Sequence, residues 1–255
     1  MNKNVFAAIL ILFLTICSPQ ANDLFAADHT NLEENLPLEI TDAIPTPYMN
    51  REVQSAFHYE RTEDSKDKYE AEQRLEYGIF LNSQIEVHVP YQFGRAVDEG
   101  LGVTEAAVLY NFNQESIWIP AMALSGHALF PTAEDTDEIE PKAKFIMTKT
   151  IGRSSFFQRI HANASWQKNN DRHENERKDL YSWAIGYDCR LNPETLLVFD
   201  LVREMLPEKG KDMNLAEIGL RYQLHPRVVI SMGGGAGLGS DSPHTRATFG
   251  FQYSF

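Results

Sequence analysis

The chain has 255 residues, with 23 basic against 36 acidic side chains and a formal net charge of −13 at neutral pH. Such an acidic surface repels phosphate backbones and excludes nucleic acid as a partner. With two cysteines, Cys17 and Cys189, the chain is no disulfide-stapled scaffold.

Lys3, an apolar run from Val5 to Ile16 and a small, polar region follow one another at the N-terminus. The run is too short to span a bilayer and has the layout of a secretory signal peptide. Residues 1–21 are expected to be removed, with cleavage after Ala21 or, as an alternative, Ala26. Ile16 stands where a lipoprotein signal carries a small residue, which argues against lipidation at Cys17. Cleavage leaves Cys189 alone, so no intramolecular disulfide forms. Residues 22–50, including HTNLEENLPLEITDAIPTPYMN, are acidic and Pro-containing with no sustained period. They read as an extended periplasmic leader.

From residue 51 onward the text alternates with period two, the mark of strands with one apolar and one polar face. Twelve strands are expected, starting near Glu52, Tyr69, Ile85, Thr104, Ile117, Lys142, Phe156, Leu180, Leu196, Asn214, Val228 and Thr245. Asn214–Leu224 sets Ala216, Ile218, Leu220 and Tyr222 against Leu215, Glu217, Gly219 and Arg221. After the turn HPR, Val228–Leu238 sets Ile230, Met232 and Gly234 against Ser231, Gly233 and Gly235. A hairpin centred on Pro226 pairs Glu217 with Gly235 and Arg221 with Ser231. The closing ATFGFQYSF puts Phe249, Phe251, Tyr253 and Phe255 on one face and Thr248, Gly250, Gln252 and Ser254 on the other.

The connections sort into two alternating classes. NSQ, NQES, GRSS, NPE and HPR are short, whereas TEDSKDK, GRAVDEGLG, PTAEDTDEIE, KNNDRHENERK, PEKGKD and GSDSPH are longer and charged. Outer-membrane barrels have short periplasmic turns and longer external loops. A secreted sandwich would alternate in the same way, but three features favour lipid: an even strand count, apolar faces nearly free of charge, and aromatics near strand ends. Trp118, Phe112, Phe156, Tyr222 and Phe255 fall toward the periplasmic rim, and Tyr59, Tyr69, Tyr91, Phe93, Trp166 and Tyr181 toward the outer rim. The expected fold is all-β, a transmembrane up-and-down antiparallel β-barrel of about 12 strands over residues 51–255. Its place is the outer membrane of a Gram-negative bacterium, with outer-membrane lipids around it.

RLEYGIFLNSQIEVHVPYQF, GLGVTEAAVLYNFN, IPAMALSGHALFPT, AEIGLRYQLHPRVVISMGGGAGLG and FGFQYSF resemble, in order, the MetA-pathway of phenol degradation family. The resemblance implies an outer-membrane barrel linked by name to transport of aromatic or hydrophobic compounds. Val103-Thr104-Glu105 and PTAEDT depart from the family pattern. The final strand ending in Phe255 resembles the C-terminal signature that the barrel-assembly machinery reads.

No motif carries catalysis or a cofactor. GGGAGLG at Gly233–Gly239 fits neither GxGxxG nor GxxxxGK[ST] and precedes no helix; inward glycines there leave a bare wall and room in the lumen. Ser125 and His127 share one inward face, and His161 and Ser165 another. Two residues along a strand is roughly 7 Å, too far for a nucleophile and base to bond. DRHENERK and AEDTDEIE lack the ordered spacing of an EF-hand or a zinc site.

Inward charge is the informative feature. The candidate pore-lining residues are Glu70, Glu72, Arg74, Glu76, Glu86, His88, His127, Arg159, His161, Asp188, Arg190, Asp200, Glu217, Arg221 and Arg246. Acids dominate the first three strands and arginines the later ones, so an acidic wall faces a mixed-to-basic one. A channel for small solutes with mild cation preference is expected. The alternatives are a lumen sealed by a structural ion-pair network and an outer-membrane hydrolase.

Overall fold

A computed structural model describes residues 26–133, 137–153, 157–170 and 173–255. The expected signal peptide and the rim residue Phe156 lie outside the described residues. Twelve long strands follow one another: β1 Arg51–Arg61, β2 Asp67–Phe80, β3 Ser83–Gly94, β4 Thr104–Asn113, β5 Ala121–Phe130, β6 Glu140–Arg153, β7 Phe157–Lys168, β8 Asp179–Asn192, β9 Thr195–Met205, β10 Asp212–His225, β11 Val228–Gly237 and β12 Thr245–Ser254. A two-residue strand, Gly100–Leu101, pairs with Tyr91 and Gln92 inside the loop after β3.

Each long strand pairs antiparallel with its sequence neighbours, and β12 closes on β1 from Glu52 opposite Ser254 to Arg61 opposite Thr245. The ladder thus has no free edge, the requirement for crossing lipid with strands. Alternation decides which side chains meet the membrane. Phe249, Met232, Ile218 and Trp183 are half exposed on the outside, while their strand neighbours Thr248, Ser231, Glu217 and Ala184 are buried inside. The β10–β11 hairpin has the expected register, Glu217 opposite Gly235 and Arg221 opposite Ser231.

Aromatics gather at both rims. Tyr59, Tyr69 and Phe93 pack in sequence at the long-loop end, with centroids 5.4 Å apart in the tilted first pair and 5.3 Å in the stacked second. Tyr253 and Phe255 stack at 6.0 Å at the opposite end. Phe255 donates its backbone N–H to Arg51, which ties the last residue to the first strand.

Two expectations are corrected. β5 begins at Ala121 and not near Ile117: residues 114–120 form a turn in which Trp118 is 89% exposed. Asn113 Nδ2 caps the Pro120 carbonyl at 2.7 Å, and Glu115 takes Lys149 Nζ at 2.8 Å and Thr150 Oγ1 at 2.6 Å. These bonds hold the longer turn closed.

The larger correction concerns the leader. From Ala27 to Thr46 it is not an extended periplasmic arm but a folded loop inside the barrel, with Leu32, Leu36, Leu38, Ile40 and Ala43 at most 3% exposed. It enters beside the short β10–β11 turn, where Ala27 N–H donates to the Pro226 carbonyl at 2.8 Å. It doubles back so that Asp42 N–H meets the Leu32 carbonyl at 2.9 Å, and leaves past Gly78, whose carbonyl accepts Met49 N–H at 2.7 Å. Both ends therefore lie at the short-turn rim, and the tip around Glu34–Glu39 points toward the long loops.

Candidate functional site: the filled lumen

Three inward arginines donate to backbone carbonyls of the folded loop, and a fourth, Arg246, meets a side chain of it. Arg221 donates to the carbonyls of His29 at 3.0 Å and Leu36 at 2.6 Å, and Arg74 to that of Glu34 at 2.7 Å. Arg159 bonds Asp42 at 2.9 Å and also reaches the Thr30 carbonyl. A buried loop has no water for its backbone, so such donors replace it. Inward acceptors serve the other strand of the loop: Asp200 takes Ile40 N–H at 3.0 Å and Asn163 takes Thr41 N–H at 2.9 Å. Near the tip, Glu34 is gripped by Lys142 at 3.1 Å and Lys144 at 3.0 Å, and Glu39 by Arg246.

Apolar packing completes the fit. Leu32, Leu38 and Ile40 join Ala184, Leu196, Val198, Val202, Met213 and Leu215 of β8–β10 in one buried cluster. Beside it the wall is cut back to glycine. A Cβ on Gly233 would stand 2.8 Å from Leu38 Cδ2, one on Gly250 2.2 Å from Leu36 Cδ1, and one on Gly186 2.6 Å from Ile40 Cγ1. These glycines are a bed for the loop, not the bare wall of an open lumen.

All fifteen residues expected to line a pore sit on strands with their side chains on the lumen face, but their partners are mostly protein. Besides the pairs above, His161 Nε2 lies 2.8 Å from Asp188, and Arg190 stacks over the Phe157 ring at 5.2 Å. Glu217 lies 4.0 Å from Arg246, and His88 3.6 Å from Glu86. Glu76 is fully buried and accepts from Thr46 of the loop at 3.0 Å. Glu70 accepts from Gln92 at 2.6 Å at the edge of the outer vestibule.

One exclusion made on strand spacing does not survive. Ser125 Oγ lies 2.7 Å from His127 Nε2, and His127 Nδ1 lies 2.5 Å from Glu105 Oε1, because the three side chains lean toward one another across the inward face. The arrangement is that of a nucleophile, base and orienting acid. The cavity beside Ser125 measures about 20 Å³ and is bounded by Glu33, Thr41 and Lys144. That is room for about one water, so no ester reaches the hydroxyl while the loop is in place. His161 and Ser165 stay apart, bonded to Thr148 at 3.0 Å and Ser182 at 2.6 Å.

Larger cavities open at both ends of the lumen. The outer vestibule, about 290 Å³, is lined by Glu34, Glu39, Glu60, Lys68, Glu70, Lys142 and Arg246 among others. The inner one, about 550 Å³, lies at the short-turn end between Ile44–Tyr48, Leu81, Gln114, Thr150 and Arg159. The folded loop stands between them. Composition alone concealed it, yet a signal was present: inward Leu196, Val198, Val202, Leu215 and Val229 make a lumen strip too apolar for water.

A closed ladder, an apolar outer face with aromatic rims, and a polar interior define an outer-membrane β-barrel. No protein-family model and no curated protein sequence matches the chain. Solved structures do. The COG4313 outer membrane channel from Pseudomonas putida F1 superposes with a TM-score of 0.64 at 12% identity, covering 88% of this chain and 100% of that one. The NanC porin gives 0.59 at 7% identity over 80% of this chain and 98% of its own. The KdgM porin gives 0.57 at 11% identity over 80% and 99%. At such identities the likeness is one of fold.

Proposed function

We propose that this protein is a channel in the outer membrane of a Gram-negative bacterium, passing small solutes passively when its folded N-terminal loop yields. The observation that carries the reading is the pair of vestibules separated by a loop held only by noncovalent bonds, with both its ends at one rim. Ionic grips of this kind can be exchanged for water without breaking the strand ladder. Aromatic or hydrophobic compounds are the favoured solutes. Withdrawal of Leu32, Leu38 and Ile40 would bare the apolar strip of β8–β10 to the lumen, and the resemblance to the phenol degradation family points the same way. Strand β12, ending on Phe255, is the segment through which the assembly machinery would receive the chain.

Planar bilayers test the reading. Deletion of residues 26–46 should leave a barrel that migrates anomalously on unheated detergent gels, because the ladder lies wholly outside the deleted part. It should show current steps several times larger than the intact chain. A folded deletion variant with no larger steps would make the barrel a structural element with a sealed lumen.

A further inference from the structure

Glu33 of the folded loop, Glu52 of β1 and Glu76 of β2 place one carboxylate oxygen each within 4.8 Å of one another. All three are deeply buried, at 4%, 2% and 0% exposure. Like charges at that spacing, shielded from water, repel strongly. The neighbouring Arg74 gives them no short bond. Arg74 Nη1 stands off at 3.7 Å from Glu33 and 3.8 Å from Glu76, and gives its short bond, 2.9 Å, to a fourth carboxylate, Glu72.

A second observation concerns oxygens left without partners. Glu76 Oε1 is buried without a hydrogen-bond partner, and so are the amide oxygens of Asn31, Asn50 and Gln54. Each of those amides turns its NH₂ to the cluster: Asn31 to Glu33 at 3.3 Å, Asn50 to Glu52 at 2.9 Å, and Gln54 to Glu33. A half-turn of an amide exchanges its oxygen and nitrogen at almost no cost in shape. A turned amide would set its unpartnered oxygen beside the carboxylates in place of its NH₂.

We propose that Glu33, Glu52 and Glu76 hold a divalent cation, calcium by chemical class, that clips the folded loop to the barrel wall. Carboxylate and amide oxygens are hard ligands, and an irregular shell of six or more suits Ca²⁺. Mg²⁺ keeps its waters and demands a tighter octahedron, so it binds this dry site more weakly. Because Glu33 belongs to the loop and the other two acids to strands, the ion couples loop docking to the calcium concentration at the short-turn rim. The clip rests on the position of the loop, not on solute passage, and its test reads no current.

Full mature protein refolded into detergent, free of lipopolysaccharide, is stripped with chelator and titrated with CaCl₂ by calorimetry. One Ca²⁺ per chain is expected, with Glu33→Gln binding at least tenfold more weakly and Glu194→Gln, in the exposed β8–β9 turn, binding as the wild type does. Calcium should also slow cleavage of the loop by a Glu-specific protease at Glu34 and Glu39 in the wild type but not in Glu33→Gln. Gel migration without heating reports that each variant is folded. Should Glu33→Gln not assemble, the wild-type titration still decides. A folded wild type that binds no Ca²⁺, or binding that survives Glu33→Gln or is lost with Glu194→Gln, overturns the proposal and leaves shared protons as the occupants of the cluster.

Discussion

Asp42 of the folded loop and Arg159 of β7 form an ion pair of 2.9 Å whose side chains are 0% and 1% exposed. Arg159 holds Asp188 of β8 at 2.7 Å on its other side, so one guanidinium bridges wall and loop. Removing one partner of a buried pair costs roughly 3–5 kcal/mol. Asp42→Asn should fall at the low end, because Asp188 still neutralises Arg159. The barrel is expected to assemble while its loop becomes several-fold more open to a Glu-specific protease. Unchanged cleavage in a folded Asp42→Asn protein would show that this pair does not hold the loop.

The glycine bed gives a steric test with an internal control. In Gly250→Ala the new methyl would stand 2.2 Å from Leu36 Cδ1, and in Gly233→Ala 2.8 Å from Leu38 Cδ2 and 2.9 Å from the Pro37 carbonyl, so the loop must shift. Gly126→Ala meets nothing within 4 Å. Overpacking of this kind costs about 1–3 kcal/mol. Both bed variants should loosen the loop by the protease assay, and Gly126→Ala should not. Identical behaviour of all three would mean that the loop does not rest on β11 and β12.

The barrel itself was legible because two periods wrote it: the alternation within each strand and the alternation of short and long connections. Lipid supplies the reason, since outward side chains must be mostly apolar and every backbone group must be paired. The loop was not legible because LEENLPLEITDAIP has neither period, and its order comes from partners more than a hundred residues away, such as Asp200 for Ile40. Ser254 is a smaller case. It reads as a bland inward polar residue, yet its hydroxyl donates to Glu52 at 2.9 Å. The Ser125–His127–Glu105 contact was missed for another reason, since spacing along a strand fixes where Cβ atoms stand and not where side chains lean.

Phe251 tests the lipid face. It is 40% exposed on the outside of β12, between Ser55 of β1 and Ile230 of β11. An arginine on the lipid face costs roughly 2–4 kcal/mol near the bilayer midplane and little near the interface. Phe251→Arg should therefore lower the fraction of heat-modifiable barrel recovered on refolding into vesicles. Refolding at wild-type yield would place Phe251 outside the hydrocarbon.

In the proposed channel, ion selectivity would be set where permeating ions first meet fixed charge, which is the outer vestibule and not the acidic wall as a whole. Glu60 and Glu70 line it together with Glu34 and Glu39, opposite Lys142, Lys144 and Arg246. Glu76, by contrast, is fully buried against the loop. At physiological salt the screening length is about 8 Å, so vestibule carboxylates act on ions in the cavity while one buried behind the loop acts little. Changing Glu60 and Glu70 together to Gln should move the reversal potential in a salt gradient toward anion selectivity. Glu76→Gln alone should leave it nearly in place. If the double variant conducts with an unchanged reversal potential, ions do not pass through this vestibule, and the proposed route through the lumen fails.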